Sequence, residues 1–104
     1  MDRTVPPGAA KLLDLIRSIE APRGYDTVFG NHQMPKRLTT MTVDEVIADG
    51  PRRTRQYGSS AAGAYQFMEA TLRDLKRELR LRGSQVMDPN LQDRLGYHLL
   101  RRRG

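Results

Sequence analysis

Glu20 and Asp26 stand six positions apart, one on each side of the break Ala21-Pro22-Arg23-Gly24. Two carboxyls that can face one loop are the raw material of general acid–base chemistry. One is kept protonated to give up a proton, and the other stays ionised to steady a cation or a water. Glu20 closes an apolar stripe at helical spacing, made by Leu12, Leu13, Leu15, Ile16 and Ile19. A carboxyl beside apolar side chains loses hydration in its charged form, so its proton stays available near neutrality. The position is also against local preference, because the end of a helix favours cations over carboxylates. A residue so placed is a hint of function. The plainer alternatives are a solvated helix-end glutamate for Glu20, and a turn cap or a pairing with Arg23 for Asp26.

A second dense segment is Ser59-Ser60-Ala61-Ala62-Gly63-Ala64-Tyr65-Gln66-Phe67. If extended, it puts Tyr65 and Phe67 on one face and Gln66 on the other. Gly63 would let the backbone come close to a ligand, and Gln66 offers both a donor and an acceptor. Tyr65 can stack on a ligand or fill the core, and Ser59 and Ser60 can bond a ligand or only make a turn. His32 and His98 have no metal-ligand spacing to each other or to carboxylates. His32 reads as an exposed loop residue and His98 as a residue at the core edge of the last helix. With no cysteine in the chain, disulfides, thiolate metal sites and cysteine nucleophiles are excluded. No metal or cofactor is implied.

These residues need elements to hold them. Pro6 and Pro7 lead into a helix over about 8–21, stopped by Pro22 and Gly24. Thr27, Val28 and Phe29 favour strand, with Gly30-Asn31 as a turn. Thr42 and Glu45 make a capping box for a short helix over 43–48, which Asp49-Gly50-Pro51 ends. Residues 52–60, basic and polar, read as an exposed loop or weak strand, and 61–67 as a short strand or turn. A helix over 69–82 sends Leu72, Leu75 and Leu79 inward, with Gly83 at its C-terminal cap. Asp88-Pro89 starts the last helix, over 89–102, with Leu91, Leu95 and Leu99 inward. The expected fold class is α+β, mostly α: helical lobes around a small irregular β element.

At 104 residues the chain is one domain with one modest core. Its apolar runs are too short for a membrane span, and the N-terminus has no apolar segment of the signal-peptide kind. Net charge is +6, and of the basic residues only Lys11, Lys36 and Lys76 are lysine. Such a chain suits anionic partners, either nucleic acid or the bacterial cell wall. Arginine dominance suits phosphate or carboxylate contact, and it is equally what a GC-rich coding genome produces. Arg73, Lys76, Arg77, Arg80 and Arg82 form a basic helix face. The connection 83–87 to the last helix allows a helix-turn-helix, with Asn90 and Gln92 as base readers. A basic outer face is more commonly just a solvated one.

Taken together, the Glu20 to Asp26 segment and the Ser59 to Phe67 segment resemble the lysozyme-like superfamily that cleaves peptidoglycan glycan strands. The likeness is to lambdoid-phage endolysins and the small muramidases that accompany secretion systems, and runs from about Leu12 to the last residue. It implies cleavage of the β-1,4 bond between N-acetylmuramic acid and N-acetylglucosamine, with Glu20 as the catalytic acid. Gly63-Ala64-Tyr65-Gln66 matches the family's Gly-x-x-Gln cleft segment, and Tyr25 matches its Gly-Tyr pair at the cleft wall. Substrate contacts are thus expected from Tyr25, Ser59, Ser60, Gly63, Tyr65 and Gln66. Some members use a second carboxylate and water. Others use the substrate's own N-acetyl group and release a 1,6-anhydro sugar. Asp26, so close behind the acid, tilts the expectation towards hydrolysis. Work at the cell wall or in the periplasm follows, with a phage or secretion-system component as a further partner. Members continue past this chain's final helix with others that close the cleft, and carry a Trp near the place of Leu72. Against that pattern the chain reads as a fragment truncated at its C-terminal end, a minimal version, or a protein that borrows the missing wall from another chain. Low activity as a monomer, a wall completed by another chain, or a weakly catalytic wall-binding relative would then follow. A small helix-turn-helix DNA-binding protein is the competing expectation.

Overall fold

The computed structural model describes residues 1–102. Its elements follow in the order α1 (Pro7–Glu20), β1 (Thr27–Val28), β2 (His32–Gln33), α2 (Val43–Ala48), α3 (Gly50–Tyr57), α4 (Glu69–Glu78) and α5 (Pro89–Arg102). This is the mostly helical α+β arrangement expected, with helices packed about one small hairpin.

Pro7 starts α1, where a missing N–H costs nothing and a fixed φ suits the helix. The burial of α1 departs from expectation. Leu13 alone is fully buried, whereas Leu12, Leu15 and Ile19 are 46%, 55% and 67% exposed. The reason is that α1 packs chiefly on one partner, α5. A helix covered by one neighbour buries one row of its apolar stripe, not its full width. The contact is close. A Cβ on Gly96 of α5 would lie 3.3 Å from Leu13 Cδ2 and 3.1 Å from Tyr65 Cδ2, so glycine is what lets the helices meet.

Beyond the break, β1 and β2 pair antiparallel, with Val28 opposite His32. Gly30 and Asn31 both take positive φ in the turn, as the right-handed twist of a tight hairpin requires. Val28 also bridges Ala62, which ties the hairpin to the second dense segment. The capping box of α2 forms as expected: Thr42 Oγ1 accepts from Glu45 N at 3.1 Å, and Glu45 Oε1 accepts from Thr42 N at 2.9 Å.

Residues 50–57 are a helix, not the exposed loop or strand expected. Asp49-Gly50-Pro51 reads as a stop, but proline is equally at home in a helix's first turn. Arg53 on this helix is fully buried. Its Nη1 donates to Val46 O at 2.7 Å and its Nε to Ser60 O at 3.0 Å. An arginine looks like a surface residue in sequence, yet here carbonyls and nearby Asp49 replace its water.

Helix α4 ends at Glu78, short of the expected residue 82, and Leu79 is 37% exposed instead of inward. Arg80 takes the left-handed conformation (φ 52) that Gly83 was expected to supply. Gly83 instead passes so close to Asp44 that a Cβ would collide with its carboxylate. The connection 83–87 is pinned to the start of α2, through Val43 N to Gln85 O and Met87 N to Met41 O, both at 2.8 Å. It is a seam of the core rather than a free helix-turn-helix turn. Leu38, Val43, Val46, Leu72, Leu75, Met87, Leu91 and Leu95 make the centre of that core.

Candidate functional site

The site is organised by two buried side chains of α5, Gln92, which sequence reasoning took only as a base reader, and Asp93, which it missed. Gln92 lies on the same helical stripe as Leu95 and Leu99, so a polar residue at a core position was the available signal. Its Oε1 accepts from Ala64 N at 2.9 Å, and its Nε2 donates to Met87 O at 2.8 Å and Tyr25 O at 3.2 Å. One amide thus fixes both motif segments to α5. A side chain so committed cannot read bases, which removes one of the two expected DNA contacts.

Asp93 is the hub of a second network. Its Oδ1 accepts from Tyr65 Oη at 2.6 Å and Tyr25 Oη at 2.9 Å, and Arg17 Nη1 stands 3.4 Å away. Arg17 Nη1 also donates to Tyr25 Oη at 2.7 Å and Tyr65 Oη at 3.2 Å. The other carboxylate oxygen accepts from Asp2 N at 3.1 Å. Burial, helped by the Asp93 carboxylate, pushes the Tyr25 hydroxyl up to about 12, and pushes Tyr65 up as well. Both tyrosines therefore stay neutral donors at ordinary pH. They fix geometry and do not titrate.

The Gly63–Gln66 segment is a tight turn, not the extended strand considered above. Ala62 and Phe67 exchange backbone hydrogen bonds at 3.0 and 2.9 Å around it. Gly63 has φ +84, and a Cβ there would lie 2.5 Å from Gln92 Oε1. Glycine is thus required by the protein's own amide. Gln66 also adopts positive φ (52), and its Nε2 holds Gly63 O at 2.8 Å and Thr27 O at 3.3 Å. A left-handed non-glycine residue is uncommon and costs about 1 kcal/mol or more, so it persists only where the surroundings impose it.

This turn forms one wall of an open groove of about 490 Å³, lined by Tyr65, Gln66, Phe67, Met68, Thr71, Asp74, Leu99 and Arg102. Tyr65, Phe67 and Leu99 also line a smaller hollow of about 80 Å³ that reaches Leu13 and Ile16 of α1. The two hollows therefore share a floor. Glu20 follows Ile16 by one helical turn, on the same side of α1. It lines neither hollow itself and is exposed. The apolar surroundings expected for its carboxyl are not built by these residues, because Ile19 beside it is also exposed.

No family model matches this chain. No curated protein and no solved structure matches it either. What the site can do must be read from its own geometry.

The remaining expected residues are placed as follows. Asp26 Oδ1 accepts at 2.8 Å from Thr39 N, within the 3-10 turn Leu38–Thr40. This bond, thirteen residues along the chain, occupies one carboxylate oxygen. Ser60 is buried, and its Oγ accepts from Glu69 N at 3.0 Å, so it serves the first turn of α4. Ser59 Oγ accepts from Ala61 N at 3.1 Å and lies 3.5 Å from Met68 Sδ, at the groove's edge. His32 is exposed as expected but lies in strand β2 and not in a loop, while His98 is half-buried with Nε2 3.6 Å from Glu78 Oε1. Among the described residues no three His, Asp or Glu side chains cluster to hold a metal. Among them, too, no helix is long and apolar enough to cross a membrane.

Proposed function

We propose that this chain is a lysozyme-like muramidase that cuts peptidoglycan glycan strands between N-acetylmuramic acid and N-acetylglucosamine. The observation that carries this reading is the continuity of the Gln66 groove with the hollow under Ile16, one helical turn from Glu20. A sugar chain laid along that floor has Gln66 on one side and the end of α1 on the other. Covering Ile16, Ile19 and Glu20 with substrate excludes water, and so supplies the apolar surroundings that the free protein lacks. Glu20 then gives its proton to the glycosidic oxygen as the bond to the sugar's anomeric carbon breaks. Tyr65 and Phe67 form the groove floor, and Asp93 holds Tyr65 and Tyr25 in register. The substrate belongs to the bacterial cell wall, and a phage or secretion-system assembly is the partner class that would deliver the protein there. The helix-turn-helix alternative is weakened by the burial of Gln92 and the pinned 83–87 connection.

The engagement of Asp26 with Thr39 N favours a mechanism that leans on Glu20 alone. The substrate's N-acetyl group then assists, the sugar's own C6 hydroxyl closes on the anomeric carbon and gives its proton back to the Glu20 carboxylate, and 1,6-anhydro ends are released. One digest of purified peptidoglycan, followed by mass spectrometry, tests both points. Glu20→Gln should remove cleavage, a loss of about 100- to 10,000-fold, because an amide has no proton to give. Asp26→Asn keeps the oxygen that Thr39 N needs, and should remain active with anhydro products. A folded Glu20→Gln protein that cuts like the wild type sinks the muramidase reading. Reducing ends together with an inactive Asp26→Asn restore Asp26 to the chemistry and the reaction to hydrolysis.

A further inference from the structure

Residues 34–36, leaving β2, meet the junction of α2 and α3 around a further hollow of about 310 Å³. Met34, Pro35, Lys36, Met41, Asp49 and Arg52 line it, and none of them lines the groove. Its floor is apolar. Met34 and Met41 both belong to the core, each with only 6% of its surface exposed. Met34 Sδ accepts from Arg52 Nη2 at 3.0 Å, and Met41 O accepts from Met87 N at 2.8 Å, so the floor is tied down. The rim is charged, carrying Lys36, Asp49 and Arg52. A small cavity with an apolar floor and a few convergent polar groups is the usual form of a ligand site.

The rim has donors to spare, and its acceptors are taken. Asp49 Oδ1 accepts from Arg52 Nε at 2.7 Å, and Oδ2 accepts from Arg52 Nη2 at 2.8 Å with Arg53 Nη1 at 3.5 Å. One carboxylate thus faces two guanidiniums. The Arg52 hydrogen bonds above all hold the Asp49 carboxyl below the usual carboxylate range, so it stays ionised and engaged. Arg52 Nη1 gives one N–H to Gln56 Oε1 at 2.6 Å and keeps its second. Lys36 Nζ reaches Glu45 Oε2 at 3.1 Å and keeps two of its three N–H groups, while Thr42 N occupies the other Glu45 oxygen. With these partners counted, three cations (Lys36, Arg52 and Arg53) meet two carboxylates (Asp49 and Glu45).

We infer that this hollow binds an organic acid, a carboxylate carried on an apolar body. The body covers Met34, Met41 and Pro35, whose thioethers adapt to its shape. The carboxylate takes the unused N–H groups of Lys36 and Arg52 in charge-assisted hydrogen bonds. A cation would meet the surplus positive charge and find Asp49 already engaged. An uncharged apolar ligand gains nothing from the charge of the leftover donors, and an inorganic anion leaves the floor in water. A free small acid and the C-terminal end of a peptide share this chemistry. The site is separate from the groove, so it stands or falls apart from the glycan-cleaving reading.

The full chain with isotope-labelled methionine methyl groups reports the site by nuclear magnetic resonance. Phenylpropanoate, phenylpropanamide and phenylpropylamine are the probes, one body carrying negative, zero and positive charge. The acid should move the Met34 and Met41 methyl resonances to saturation and leave Met68, in the groove, in place. The amide and the amine should bind at least roughly tenfold more weakly, the scale of one charge-assisted hydrogen bond. Lys36→Gln should weaken the acid by a similar factor and leave the amide as it was. Lys36 is exposed, so the variant keeps the fold, which a far-ultraviolet spectrum checks. N-acetyl-alanyl-phenylalanine supplies the peptide arm. Tighter binding than phenylpropanoate names a chain end as the ligand, and weaker binding names a free organic acid. Equal affinity for acid and amide overturns the site. So does acid binding that Lys36→Gln leaves unchanged, a preference for the amine, or Met34 and Met41 methyls that stay still throughout the titration.

Discussion

At the scale of single residues, the site depends most on Asp93, a carboxylate that accepts from two tyrosines, faces an arginine and takes a backbone N–H. Asp93→Ala leaves those donors buried without an acceptor and should cost about 3 kcal/mol. Tyr25→Phe and Tyr65→Phe each remove one hydroxyl and should cost nearer to about 1 kcal/mol. Urea unfolding of the three variants measures the order, and an Asp93→Ala protein as stable as the wild type refutes the hub. The same network sets an alkaline limit. An unfolded tyrosine loses its proton near pH 10, whereas folded Tyr25 holds it up to about 12. The unfolded state therefore binds fewer protons between those values. The stabilising contribution is complete below roughly pH 10 and drains away as pH climbs towards the folded value. Unfolding midpoints should fall over that window, and fall less in a Tyr25→Phe, Tyr65→Phe double variant. Equal slopes would mean that the hydroxyls are not held as described. None of this was legible in the sequence at Asp93 itself, because a buried carboxylate depends on partners 28 to 91 positions away in the chain. Tyr25 and Tyr65 stand out in the sequence as candidates, though the fact that both hydroxyls turn to one acceptor does not.

At the scale of elements, what could be read locally was read well, and what depended on a neighbour was not. The α2 capping box, the Gly30-Asn31 turn and the Asp88-Pro89 start of α5 are short-range chemistry, and each forms where its residues stand. Helix α3 was hidden because proline and glycine serve helix starts as well as stops, and its core residue is an arginine. The apolar stripe of α1 set the period of the helix correctly but not its buried width, since the width is decided by how many partners pack on it. That distinction is measurable. Leu13→Ala, at the buried contact with α5, should cost about 2–5 kcal/mol. Leu15→Ser, on the exposed side of the same helix, should change stability by no more than about 0.5 kcal/mol. Comparable losses at the two positions, in thermal or urea unfolding, would mean that the α1 stripe is covered in solution.

At the scale of the whole molecule, the net charge of +6 gains meaning from how the cations are used. Arg17, Arg52, Arg53, Arg73, Lys76 and Arg77 all pair with carboxylates of the same chain. Those arginines and the lysine are bound up with the protein's own acids, so the excess acts as a diffuse field rather than as a row of contacts for a duplex. A diffuse field attracts an anionic surface without selecting a sequence, and it is screened as the Debye length shrinks from about 10 Å at 0.1 M salt to about 3 Å at 1 M. The cutting step in the groove involves a proton and a neutral sugar, and should not feel that screening. Raising salt should therefore slow the clearing of insoluble peptidoglycan while leaving cleavage of a soluble, uncharged chitooligosaccharide unchanged. Duplex DNA, held by the same field, should bind weakly, without sequence preference, and come off over the same salt range. Measuring both cleavage rates and DNA binding across one salt series tests the division of labour. Equal salt sensitivity for the two glycans would place the charge in the groove itself. Sequence-selective DNA binding that survives physiological salt would overturn the assignment of this basic surface to the cell wall.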